Sequence, residues 1–184
     1  MKDAHLTLAD ERLQRLFEQA DDEKLVGYLL VDLSIDRRTQ NTVLPIHRRG
    51  ASRSLFQNTP EQGFSAIAPH LVPLNGLRDA ECATLIEQDT EVAAFSWLWV
   101  DESATNDLFA HLQKQLDMRL PDGGLALLRY YDPRVFTKLM QLLDDEQRKT
   151  LFGPIRYWSV RVTEERQVFQ PSDDAEDMLQ GERP

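Results

Sequence analysis

A single cysteine, Cys82, stands in 184 residues. An intrachain disulfide and a multi-cysteine metal site are therefore excluded, which fits a reducing compartment. No stretch approaches the about 18 uninterrupted apolar residues that a membrane span needs. The opening "MKDAHLTLADERLQRLF" carries acids early and lacks the apolar core of a signal peptide. These absences predict a cytoplasmic protein without a membrane partner. Positive charge is also scarce: 21 Lys and Arg face 31 Asp and Glu, a formal net charge of -10. Nucleic acid is then not an expected partner, because neutralising phosphates takes clustered cations. No GxSxG elbow, glycine-rich phosphate loop or HExxH pair occurs. Neither a cofactor nor a metal is expected.

What is present suits one soluble domain: 41% hydrophobic residues and a mean hydropathy of -0.47. A chain of this length buries roughly 70% of its unfolded surface and needs no staple. Leu13, Leu16, Phe17 and Ala20 recur at helical spacing and predict a first helix ending near residues 20–22. "LVGYLLV", residues 25–31, and "VAAFSWLWV", residues 92–100, are short apolar runs that read as strands buried on both faces. In the second, Phe95, Trp97 and Trp99 fall on one face and Leu98 and Val100 on the other. "LALLRYY", residues 125–131, reads as a third central strand, and "IRYWSVRV", residues 155–162, as the last.

Between these runs the pattern turns helical. Thr59-Pro60 starts a short helix, and Asp79 caps one that buries Cys82, Leu85 and Ile86. Ser103 or Thr105 starts another with the stripe Leu108, Phe109, Leu112 and Leu116. Asp132-Pro133 opens a helix lined by Val135, Phe136, Leu139, Met140, Leu142 and Leu143. "DDEQRKTLF", residues 144–152, restarts a helix that Gly153-Pro154 stops. "SLF" and "HLV" are possible short strands. Residues 34–53 read as a long polar loop. The expected fold is α/β (or α+β): a central mixed sheet flanked by helices, with a short C-terminal extension. One domain is expected over residues 1–163. Residues 164–184 hold seven acids against two arginines and read as an acidic tail, disordered or ordered by a partner.

Candidate chemistry is thin. His5, His47, His70 and His111 are scattered; His111 reads as solvated and His70 as structural. The pairs Asp21-Asp22, Asp144-Asp145 and Asp173-Asp174 are adjacent in sequence and do not face each other across a cleft. Cys82, Trp97 and Trp99 read as core. The exception is "RYYDPRVF", residues 129–136. Asp132 suits a cap, Pro133 the first helical position, and Arg129 can pair with Asp132 or a loop carbonyl. Arg134 sits in the first helical turn, where the dipole disfavours a cation. The stretch reads as a capped strand-to-helix joint. An enzyme using Arg129, Asp132 and Arg134 on an anionic substrate is the alternative.

The longer block "LLRYYDPRVFTKLMQLLDDEQRKTLFGPIRYW", residues 127–158, resembles the signature of the type VI secretion effector adaptors. Arg129, Tyr131, Asp132, Pro133, Arg134, Gln147, Phe152, Gly153 and Pro154 carry the likeness. "GYLLVD", "SLFQNTPEQGFSAIAPHLVPL" and "FSWLWVDESATNDLFAHLQKQLDMRLPDGG" are similar to the family's earlier segments, so the likeness covers about residues 25–160. It implies a non-catalytic cytoplasmic chaperone that holds a toxic effector and helps load it onto the spike of the secretion tube. It implies no catalytic residue and no cofactor. Many members carry a helical C-terminal lobe implicated in effector binding, whereas 23 residues follow Arg161 here. Candidate partner surfaces are the basic stretch with Arg37, Arg38, Arg48 and Arg49, the edge around Tyr157 and Trp158, and Phe169 in the tail. A structural subunit of an assembly is a third reading.

Overall fold

Strand alternation sorts the core into two layers. The computed structural model describes residues 10–120 and 122–172. The strand at Phe95–Asp101 (β4) sends Phe95, Trp97 and Trp99 into one apolar cluster and Leu98 and Val100 into the other. That is the two-sided burial its sequence predicts, because successive side chains of a strand point to opposite faces. The strand at Leu25–Asp32 (β1) pairs with one side of β4 and the strand at Ile155–Arg161 (β7) with the other.

Among the described residues, the central sheet has six strands. The others are Arg53–Ser54 (β2), Pro69–Pro73 (β3) and Arg166–Phe169 (β8), in the order β2-β3-β1-β4-β7-β8. The expected central sheet is present, and every ladder in it is antiparallel, so the α+β form of the expectation describes it.

Helices cover both faces. Glu11–Asp22 (α1), Arg37–Arg48 (α2) and Asp79–Glu91 (α3) bury Leu13, Leu16, Val43, Ile46 and Leu85 with Trp97 and Trp99. Phe17 meets Trp97 and Trp99 edge-on, with ring centroids 5.6 and 5.5 Å away. On the opposite face, Thr105–Lys114 (α4), Pro133–Leu142 (α5) and Asp145–Phe152 (α6) bury Leu108, Leu112, Phe136, Met140 and Phe152 around Trp158. Thr59 accepts from the Glu61 N–H and opens a 3-10 turn at Pro60–Ile67.

Several expectations change. The stretch read as a loop holds α2, capped by Asp36, which accepts from the Arg38 N–H at 3.0 Å. Asp79 is the first residue of α3 and Arg78 its cap; the Glu81 carboxylate accepts the Arg78 N–H at 2.9 Å. "LALLRYY" is not a central strand. Both sides of β4 are already taken, and only Leu125–Leu127 (β6) is extended. It pairs with Asp117–Arg119 (β5) in a separate hairpin. Gly123, at φ +84°, supplies the left-handed turn residue. Leu142 leaves the expected stripe of α5 and is 78% exposed.

β7 is not the last strand either. β8 adds outside it, so the domain runs past residue 163 and the boundary expected at residue 164 is corrected. The rest of the stretch read as an acidic tail, residues 173–184, lies outside the described residues. No helix among the described residues is long and apolar enough to cross a membrane.

Candidate functional site at the strand-to-helix joint

Asp132 caps α5 as its sequence predicts: the Arg134 N–H donates to Oδ1 at 3.0 Å. Arg134 then folds back on its own cap. Its Nε donates to Oδ1 at 2.9 Å and its Nη2 to Oδ2 at 2.7 Å. This bidentate fork offsets the misfit of a cation in the first helical turn.

Arg129 closes the cluster from the other side. Its Nη2 donates to Asp32 Oδ2 and to Ser34 Oγ, both at 3.0 Å, and lies 3.7 Å from Asp132 Oδ2. Asp32 is fully buried at the end of β1, and its Oδ1 accepts from the Ser34 N–H at 2.9 Å. Sequence reading missed Asp32, because nothing local ties it to a residue 97 positions away. The result is an alternating chain of charge, Asp32, Arg129, Asp132, Arg134.

Burial works against ionising Asp132, yet the bonds from Arg134 outweigh it and hold the carboxyl below its ordinary range. Tyr131 is pushed up to about 12, chiefly by burial, with the Asp32 charge adding to it.

The other signature residues serve local structure, Phe152 in the core and Gln147 and Gly153 at the exposed ends of α6. Gln147 and Asp144 form a reciprocal cap, with N–H contacts of 2.8 and 3.1 Å. Phe152 packs 5.7 Å from the Trp158 ring. Gly153 stops α6 at φ +53°, and a Cβ there would lie 2.3 Å from His111 Cε1. Pro154 leads into β7. His111 is not the solvated side chain expected: it is half-buried, with Nε2 2.9 Å from the Leu151 carbonyl.

A second polar cluster was not legible. Arg166 is buried and donates to Asp10 at 2.6 Å and to Asp89 through a short contact. Trp97 Nε1 donates to the same Asp89 at 2.9 Å, and Arg161 lies 3.4 Å from Asp10. Burial pushes the Asp89 carboxyl above its ordinary value, against the pull of Arg166. The cluster ties α1, α3, β4 and β8 together. His70 is buried in β3, 4.7 Å from the His47 ring, with Nδ1 3.2 Å from Ser52 Oγ. Burial, then His47, holds it down to about 4. No group of three or more His, Cys, Asp or Glu side chains among the described residues is placed to hold a metal.

The expected partner surfaces fare unequally. Tyr157 and Trp158 are corrected: β7 is an interior strand and both are buried. Tyr157 OH accepts from Gln19 and donates to Glu23, each at 2.7 Å, and Trp158 stacks 4.3 Å from Phe136. Phe169 is half-buried and meets Phe136 edge-on at 5.4 Å. On α2, Arg37 and Arg48 are exposed. Arg38 pairs with Asp36 and Glu91, and Arg49, just after α2, with Glu81, which stitches α2 to α3.

Surface features the sequence did not mark are the β5–β6 hairpin and the edge of β8. Leu125 and Leu127 share one hairpin face and are 67% and 37% exposed. Along β8 runs a groove of about 530 Å³ between α1 and α5.

No curated protein and no solved structure matches the chain. A family model, described as Domain of unknown function (DUF4123), matches residues 27–150. The match runs from β1 into α6 and contains the whole Asp32–Arg134 cluster, so the chain belongs to the DUF4123 family.

Proposed function

We propose that the protein is a non-catalytic adaptor that binds a type VI secretion effector in the cytoplasm and helps load it onto the spike. The observation that carries this reading is that the charges of the joint are committed to one another. Asp132 spends both oxygens on Arg134, and Arg129 is held by Asp32 and Ser34. Charge satisfied in this way locks a scaffold rather than waiting for a substrate. Membership of the DUF4123 family and the likeness of residues 127–158 to the effector adaptors support the same reading. The hairpin offers Leu125 and Leu127 to water, an arrangement suited to an apolar partner.

Catalysis on an anion through Arg129, Asp132 and Arg134 is the competing reading. It draws on the partial exposure of the two arginine side chains, 44% and 52%. It requires those guanidinium groups to leave partners at 2.7–3.0 Å.

Co-expression with the effector encoded beside it tests the proposal. The effector is expected to co-purify and to gain soluble yield. Leu125→Glu with Leu127→Glu should weaken that capture without lowering the melting temperature. Deleting the gene should stop delivery of that effector while tube assembly continues. Delivery that persists in a clean deletion strain would overturn the adaptor reading.

A further inference from the structure

Among the described residues β8 ends the sheet, so one row of its peptide groups faces away from β7. The Arg12 guanidinium marks that row: its Nη1 donates to the Arg166 carbonyl at 2.7 Å. Peptide groups alternate sides along a strand, so those of Val168, two residues on, face outward as well. They open into the groove of about 530 Å³, whose walls are Arg12, Arg15 and Leu16 of α1 on one side and Met140 and Gln141 of α5 on the other. The groove is thus the open edge of the sheet, overhung by a helix from each face.

Its charge is opposite to that of the molecule. Arg12, Arg15, Arg148 and Arg166 line it, and no acidic side chain among the described residues does. The chain as a whole carries -10. Arg166 is committed to Asp10 and Asp89, while Arg15, among the described residues, pairs with the exposed Glu11, 3.7 Å away. A local cationic wall beside unpaired peptide groups recognises two things at once: a backbone in extended form and carboxylates alternating along it.

We propose that this groove binds an extended acidic segment of the cargo protein, which adds as a strand to β8 between α1 and α5. The proposal rests on the adaptor reading for the identity of the partner as cargo. Val168 supplies the outward backbone pairing. Arg12 and Arg15 meet carboxylates on alternate residues of the incoming strand. The Arg12 contact on Arg166 also covers one carbonyl of the edge, which limits indiscriminate strand pairing.

The test uses the full chain and a labelled peptide of about eight residues alternating glutamate and valine, read by fluorescence polarisation. Saturable binding that weakens with salt is expected. The same peptide with lysine for glutamate, and a form N-methylated at alternate residues, should each bind about tenfold weaker or worse. Arg15→Glu should lose about as much at an unchanged melting temperature, because Arg15 is exposed and holds no part of the core. Equal binding of the lysine or N-methylated peptide, or no binding of the acidic one, overturns the proposal. Binding that appears only in a full-length Asp173→Lys, Asp174→Lys variant would give the groove to the chain's own acidic end and overturn it too. So would a dimer in light scattering that Arg15→Glu dissolves. If these arms fail while the effector still co-purifies, the groove assignment falls and the adaptor reading stands.

Discussion

Asp132 joins three roles in one side chain: helix cap, acceptor of the Arg134 fork and neighbour of Arg129. A cap alone is worth about 0.5–2 kcal/mol. Removing the carboxylate also leaves two guanidinium groups crowded at one helix end, so Asp132→Ala is expected to cost about 2 kcal/mol or more. Asp132→Asn keeps an acceptor for the Arg134 N–H and should cost less. Urea unfolding of the two variants checks both the size and the order. An Asp132→Ala protein as stable as the parent would mean that the cluster is not structural. The cap was legible because Asp-Pro places an acceptor and a pre-set φ side by side in sequence. The role of Asp32 was not, because only the packing of β1 against the turn at residue 129 brings it to Arg129. Gly153 lies between these cases. Its helix stop could be read locally, while the His111 ring that excludes a Cβ could not.

Elements were legible where burial is set by their own pattern. β4 alternates an aromatic face with an aliphatic one and appears where expected. α2 was hidden, although Asp36, Thr39, Val43 and Ile46 supply a cap and a buried stripe. Its arginines and Pro45 read as loop, and their compensation lies elsewhere, in Glu81 and Glu91 of α3. β8 was hidden for a related reason. Four residues among acids carry little pattern, and what makes Arg166–Phe169 a strand is the free side of β7 and the buried carboxylates that receive Arg166. The first part of the stretch read as an acidic tail is therefore a structural strand. Arg166→Ala leaves Asp89 buried without its cation, and breaking a buried pair from one side costs about 3–5 kcal/mol. Thermal unfolding should show a large loss for Arg166→Ala and for a chain ending at Glu165. An unchanged melting temperature would remove β8 from the fold's support.

At the scale of the molecule, a net charge of -10 sets repulsion between copies of the chain that opposes their association. That protection fades toward the isoelectric point near 4.8, and stability should fall over the same range. His70 is the reason. Burial and the His47 ring hold its folded value at about 4, against an ordinary 6.5. Below 6.5 the unfolded chain takes up a proton that the folded chain refuses. The neutral ring therefore contributes stability that is complete above about pH 6.5 and is lost as pH falls toward about 4. One proton difference sets a slope of at most about 1.4 kcal/mol per pH unit. Asp132 and Asp10, held below their ordinary values, add their losses at lower pH, below about 3.8. Asp89, raised by burial, works in the opposite direction, so the slope of the parent protein alone does not isolate His70. The difference between parent and His70→Gln does. Unfolding free energies measured from pH 7 to 4 should converge as pH falls, because the glutamine variant has no proton to take up at that position. Parallel curves across the window would show that His70 titrates alike in the folded and unfolded chains.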